Sequence, residues 1–376
     1  MKKSIYIKSS SILEINTQLK FSDLRSRVKE NLERLESYLL SKDIEIWAKV
    51  KKELTNDSSP WPIQQHILME ASKQKDEFLV RYLCARFRYD FFPKLKELME
   101  YPPCVQIEPT SICNFRCVFC FQTDQKLTKP AEKHMGQMSL DMFKSIIDQL
   151  EGNVDFITLA SRGEPLLNRK LPEMLDYAKG KFLGFKINTN ASHLSEANAR
   201  MILESDISTL VFSADAGEKE VYESLRINGD FDKIMENIKN FNTIKTGEYP
   251  DSRILTRVSG VLFDKIRQDL ETHRNAWKNL VDQVAFVDYL PWENPYESEP
   301  NNIEDPCSDL WRRMFIWWDG KANPCDVDYL SWLSVGSIKD HSVSELWRSK
   351  GYESLRTLHV SGLRIEKVPC KSCFVT

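Results

Sequence analysis

Cys113-Asn114-Phe115-Arg116-Cys117-Val118-Phe119-Cys120 places three cysteines on one loop, directly after a β-rich run at Val105–Ile107. Three thiolates on one loop can ligate three irons of a 4Fe–4S cluster and leave the fourth iron open. An open iron can take a small molecule, whereas a fully ligated cluster only passes electrons. The alternatives are coincidence and zinc, and zinc would want a fourth Cys or His close by, which this loop does not supply.

Outward from the loop, short β-rich runs alternate with helical ones. The runs are Val105–Ile107, Phe156–Leu159, Phe185–Asn188, Thr209–Phe212, Ile254–Val258 and Gln283–Val287. Between them lie predicted helices at Leu140–Leu150, Ala197–Leu203, Phe231–Phe241 and Ile266–Leu280. Such alternation predicts an α/β domain with a parallel sheet over residues 101–290. No GxGxxG follows the first strand, so six such units fit a partial (β/α)6 barrel better than a dinucleotide fold. In barrels of this kind the chemistry collects at the C-terminal strand ends, where the cysteine loop begins.

Residues 1–100 read as a helical extension. Leu24, Val28, Leu32, Leu35 and Leu39 mark one helix face, and Ile44, Trp47, Val50 and Leu54 mark a second. The breaker from Asn56 to Pro62 separates them from further helical sequence, which Pro102-Pro103 ends. An amphipathic stripe is ordinarily core, so packing or substrate docking is the expected role. Residues 291–376 are rich in tryptophan, turns and cysteine. Ser342-Val343-Ser344-Glu345 is a capping box that starts a helix there. A small module of this composition is expected to be stapled by metal.

The chain of 376 residues, with 41% hydrophobic and 28% charged residues, has the composition of a soluble protein of two or three domains. A net charge of -3 gives no nucleic-acid footprint and no polybasic membrane patch. Lys8 and several serines break the apolar residues after Met1-Lys2-Lys3, so no signal-peptide core forms, and a cytoplasmic protein is expected. Nine cysteines in a reducing compartment point to metal sites or catalytic groups rather than disulfides. Three lie in the loop and four between Cys307 and Cys373. Cys84 and Cys104 remain, and both are expected to be buried apolar residues.

The CxxxCxxC loop, with the aromatic Phe119 before its last cysteine, resembles the radical S-adenosylmethionine (SAM) superfamily. The resemblance runs from about Cys104 to Thr376. It implies that Cys113, Cys117 and Cys120 hold a cluster whose open iron binds SAM. Reductive cleavage of SAM then yields a 5′-deoxyadenosyl radical that abstracts a substrate hydrogen, with the electron coming from a flavodoxin- or ferredoxin-type reductant. Ser161-Arg162-Gly163-Glu164-Pro165 looks like the family's GGEP segment with Arg162 in place of the first glycine, so Gly163 and Glu164 are expected to contact SAM. Asn190, after Asn188-Thr189, and Ser213 and Asp215 resemble ribose- and methionine-contacting positions. Tyr222 and Arg226 match a pattern on the following helix, where Arg226 would pair with the SAM carboxylate.

Cys307, Gly320, Cys325 and the terminal Cys370-Lys371-Ser372-Cys373 resemble the SPASM/Twitch module. The resemblance implies one auxiliary 4Fe–4S cluster ligated by Cys307, Cys325, Cys370 and Cys373. Four thiolates would also suit structural zinc. The spacing is similar to that of dehydrogenases acting on aminocyclitols and sugars, which implies oxidation of a hydroxyl with the auxiliary cluster as electron acceptor. Asp288, Arg257, Asp326 and Asp328 are the candidate catalytic residues for the accompanying proton transfer. A sugar or peptide epimerase, a peptide maturase and a non-enzymatic zinc-binding interaction protein are the competing readings.

Overall fold

The computed structural model describes residues 12–15, 19–56, 61, 63–292 and 294–376, so most of the breaker before Pro62 lies outside the described residues. The strands are β1 (Ile12–Ile15), β2 (Cys104–Ile107), β3 (Arg116–Cys117), β4 (Phe156–Leu159), β5 (Gly184–Thr189) and β6 (Thr209–Ser213). They continue as β7 (Arg226–Ile227), β8 (Leu255–Leu262), β9 (Gln283–Asp288), β10 (Arg313–Ile316), β11 (Lys321–Asn323) and β12 (Gly336–Ser337).

Strands β2, β4, β5, β6, β8 and β9 pair in parallel and in sequence order. They are the predicted barrel strands, and the helices between them lie where the apolar spacing placed them. Ser139 accepts from the Met142 amide to cap the helix Leu140–Leu150, which buries Phe143, Ile146, Ile147 and Leu150 on one face. The expected helix Ile266–Leu280 is split into Asp264–Gln268 and Leu270–Lys278, because Asp269 stops the first and caps the second.

The sheet exceeds the six expected strands. It has ten, in the order β1-β9-β8-β6-β5-β4-β2-β10-β11-β12. Residues 1–100 are therefore not wholly helical, since β1 adds antiparallel to β9. The tail is not a free-standing module either, since β10 adds in parallel to β2 and closes that edge of the barrel.

Along the barrel strands the two faces differ. Val105, Ile107, Ile157, Leu159, Phe185, Ile187, Leu210, Phe212 and Val258 belong to the apolar core under the helices. The opposite face carries Gln106, Thr158, Lys186, Asn188, Arg257 and Ser259, and these residues line a cavity of about 990 Å³. A barrel interior filled with branched apolar side chains would be packed solid. This one is polar and hollow.

The N-terminal helices have their own core around Leu35, Trp47, Val50, Leu54, Leu79 and Leu83. The second predicted stripe is shifted: Ile44 is exposed and Ile46 is buried in its place. The long helix Asp76–Leu95 docks by an Arg81–Asp155 ion pair of 2.6 Å just before β4. The extension therefore closes the N-terminal end of the barrel and brings His66, Glu70, Arg86 and Asp90 to the cavity wall. Among the described residues no helix is long and apolar enough to cross a membrane.

Candidate active site

The cysteine loop leaves the C-terminal end of β2 and is pinned by β3, which pairs antiparallel with β7 so that Cys117 faces Arg226. The sulfurs of Cys113 and Cys120 each receive the backbone N–H two residues on, from Phe115 and Gln122, at 3.5 Å. Arg226 Nη1 donates to the Cys117 sulfur at 3.6 Å. Hydrogen bonds of this kind stabilise thiolate character and tune iron–sulfur centres. Without metal, burial pushes the Cys113 and Cys120 thiols up to about 12 and raises Cys117 as well. Such sulfurs stay protonated until a cation displaces the proton.

Around the loop stand the residues expected to meet SAM. Glu164 is buried and accepts from the Asn190 amide (2.6 Å), the Thr189 hydroxyl (2.7 Å) and the Leu166 amide (3.1 Å). Burial nevertheless raises it to about 6. Gly163 is required at its position, since a Cβ there would lie 2.3 Å from the Thr110 carbonyl oxygen. Asn190 Nδ2 donates to Asn114 Oδ1 at 3.0 Å, tying the strand end to the cysteine loop. Ser213 closes β6. Asp215 is buried and binds the Arg226 guanidinium through contacts of 2.7 and 3.0 Å. Arg226 lies just past the helix Lys219–Leu225 rather than on it. Its guanidinium sits 5.4 Å from the Phe119 ring, which also packs on Phe263.

Arg162, at the family's glycine position, turns away from this cluster. Its side chain holds Glu108 through bonds of 2.7 and 2.6 Å and donates to the Tyr329 carbonyl at 2.9 Å. The guanidinium also lies 4.6 Å from the Trp317 ring. This buried strut joins the barrel to the tail.

In the tail, Cys307, Cys325, Cys370 and Cys373 come from three segments, and burial, with the other thiols close by, pushes the Cys325 and Cys370 thiols up. Cys325 and Cys373 repeat the pattern of the first loop, accepting from Val327 and Val375 amides at 3.3 and 3.5 Å. Arg364, buried, clamps the segments by donating to the carbonyls of Asp305 (2.8 Å), Val375 (3.0 Å) and Cys373 (2.9 Å). The Cys307 amide is held by His359 Nδ1 at 3.1 Å. Among the described residues no three His, Cys, Asp or Glu side chains are gathered to hold a single metal ion. Cys84 and Cys104 are buried and, among the described residues, accept no hydrogen bond at sulfur.

The four candidate catalytic residues are not brought together. Asp288 ends β9 and pairs with Arg267 at 2.5 Å, partly in solvent. Asp328 is buried in a tail loop and accepts from Tyr296 (2.9 Å), Trp332 (3.0 Å) and Leu333 (2.7 Å), and burial raises it to about 6. Arg257 and Asp326 both line the cavity. Sequence reasoning missed Glu108, Lys186, Glu70 and Arg364. A signal for Lys186 was present: polar residues at positions 186 and 188 interrupt a strand that would otherwise be apolar on both faces.

Comparison with known proteins gives this geometry its class. The model of the radical SAM superfamily matches residues 107–246, and that of an iron–sulfur cluster-binding domain, SPASM, matches residues 307–374. The mycofactocin maturase MftC of Mycolicibacterium smegmatis is 28% identical over 169 residues, 44% of this chain and 42% of that protein. The chain thus spans less than half the length of that relative. Streptococcus suis SuiB bound to the precursor peptide SuiA superposes with a TM-score of 0.55 at 16% identity, covering 84% of this chain and 78% of that one. The enzyme anSMEcpe with bound AdoMet gives 0.52 at 18% identity, covering 68% and 83%. The chain belongs to the radical SAM superfamily and carries a C-terminal SPASM domain. Its cofactors are 4Fe–4S clusters and SAM.

Proposed function

We propose that Cys113, Cys117 and Cys120 hold the SAM-cleaving cluster, that Cys307, Cys325, Cys370 and Cys373 hold one capped auxiliary cluster, and that the enzyme oxidises a hydroxyl of a carbohydrate or aminocyclitol. One observation carries this reading. A single cavity is lined both by Phe121, next to Cys120, and by Pro306 and Asp326, next to Cys307 and Cys325. A substrate in it lies between the two cysteine sets.

When bound, SAM and the clusters supply hydrogen-atom abstraction from carbon at one end and a one-electron acceptor at the other. The chain supplies the remaining needs. Asn188, Ser161 and Ser259 offer hydrogen bonds to a polyhydroxylated ring, and Phe121 and Trp292 exclude water from its edge. Conversion of an alcohol to a carbonyl also releases the hydroxyl proton. Of the two candidate catalytic residues in the cavity, Asp326 has the carboxylate that can accept it. A flavodoxin- or ferredoxin-type protein is the proposed reductant.

Anaerobic incubation with SAM, dithionite and a panel of aminocyclitols and sugars tests the reading. We expect 5′-deoxyadenosine and a carbonyl product in equal amounts. Recovery of an inverted alcohol without a carbonyl would overturn it. The similarity to a protein named as a maturase supports a second reading, modification of a precursor peptide, which mass spectrometry of peptides copurifying with the protein would reveal.

A further inference from the structure

Among the described residues, the buried guanidiniums of Arg88, Arg162 and Arg226 pair with Asp43, Glu108 and Asp215, and those of Arg356 and Arg364 are held by backbone carbonyls. The deep end of the cavity differs. Lys186, in register with Thr158 and Thr209, faces Arg257, Arg313, Glu70 and the Cys104 thiol. Among the described residues the Lys186 ammonium makes no hydrogen bond. Arg257 Nε donates to Gln283 Oε1 at 2.6 Å, but its Nη2 has no hydrogen-bond partner and lies 3.8 Å from Glu70 Oε1. Arg313 Nη2 donates to Gln106 Oε1 at 2.6 Å and leaves its Nε unpartnered.

The remaining neighbours leave these donors open. Glu70 is shared with the Tyr82 hydroxyl at 2.8 Å, and Arg86 is paired with Asp90 at 3.0 Å. Asp309, which also faces Arg313, is bonded to Arg312 at 3.0 Å, and Asp326, on the cavity wall, faces Arg313 without a hydrogen bond to it. Burial pushes His66 down to about 3, so it adds no charge, and it lowers Lys186 to about 8. Three cations therefore converge on an open chamber with donors left over, since Arg257 Nη2 and Arg313 Nε, beside the Lys186 ammonium, have no hydrogen-bond partner among the described residues. Enclosing cationic donors without partners is costly. A fold keeps such an arrangement where a ligand brings the missing acceptor.

We propose that Lys186, Arg257 and Arg313 form an oxyanion pocket that binds a phosphate or carboxylate group of the small-molecule substrate. The two guanidiniums offer planar forks and the ammonium a point charge, the donor set that oxyanions take. The N-terminal helices, through Glu70 and His66, close this pocket from below. The inference rests on the cavity being the substrate chamber.

The test is calorimetry on the cluster-loaded protein with SAM and no reductant, titrating glucose 6-phosphate, gluconate and glucose. At least one anion should bind about tenfold or more tightly than glucose, the scale of one charge-assisted hydrogen bond. Preference for glucose 6-phosphate identifies phosphate, and preference for gluconate identifies carboxylate. Lys186→Met and Arg257→Gln should each remove that preference, while Arg257→Lys keeps part of it; iron content and Tm check that the variants fold. Equal binding of all three probes by the wild type overturns the pocket, as does full anion preference in both variants. Binding is read without turnover, so a failed oxidation assay leaves this result standing. Oxidation of neutral sugars with no anion preference would overturn the pocket alone.

Discussion

The two cysteine sites use the same contact at sulfur and opposite means of assembly. The loop set needs eight residues, one strand end and a two-strand ribbon to fix Cys113, Cys117 and Cys120. The tail set draws on residues 307–373 and depends on Arg364, His359 and the β10–β2 pairing to bring its thiols together. Around the loop set are carboxylate, amide and arginine groups suited to a polar ligand. Around the tail set, the buried side chains of Arg364 and His359 bond backbone groups of the segments that carry the thiols. The difference teaches that thiols on one loop are positioned by local backbone geometry. Thiols from distant segments depend on long-range hydrogen bonds and strand pairing.

That contrast can be broken most sharply by thiol substitution. Cys117→Ala should abolish 5′-deoxyadenosine formation, whereas Cys370→Ala should keep SAM cleavage and lose substrate oxidation. In either case bound iron should fall from about eight to about four per chain. Chromatography of 5′-deoxyadenosine alongside iron analysis checks both; loss of SAM cleavage in both variants would make the two sites one functional unit.

A smaller effect is expected at the clamp. Arg364→Met strips donors from the buried Val375 carbonyl and from the less buried carbonyls of Asp305 and Cys373, at about 1–3 kcal/mol for each one left unmatched. The Tm of the loaded protein should drop by roughly 5–10 °C, with auxiliary iron lost first. Scanning calorimetry with iron analysis decides; an unchanged Tm would show that the metal alone holds the segments.

The smallest effect separates the sites by pH. Burial raises Glu164, beside the loop set, from 4.5 to about 6. The folded chain thus holds this proton more tightly than the unfolded one. The contribution is full below 4.5 and is lost as pH rises through about 6, by at most about 1.4 kcal/mol per pH unit. Glu164→Gln should flatten that part of the Tm profile between pH 4.5 and 6.5. An identical slope in wild type and variant would remove Glu164 as its source.

Much of the barrel was legible because local pattern and tertiary packing agree there. Leu140–Leu150 and Phe156–Leu159 read as they fold, since each puts one continuous apolar face into the core. Ile266–Leu280 did not, because Asp269 caps a new helix inside the run. Ile44 misled because the helix turns Ile46 inward instead. The tail strand β10 was invisible as part of the barrel, for its partner β2 lies some two hundred residues earlier. The site followed the same rule. The turn at Gly163-Glu164 is visible in the sequence as a local tripeptide, whereas the Arg162–Glu108 strut joins residues that no local spacing connects.

What the sequence determined alone was the number and local spacing of thiols, in a pattern that resembles the radical SAM superfamily; the loop's thiols lie together because a short loop can reach only so far. The tertiary structure decided which distant cysteines meet, that the barrel interior is hollow, and that Lys186, Arg257 and Arg313 converge within it. Those are properties of side chains brought together by packing, and packing distance is set by the fold rather than by separation along the chain.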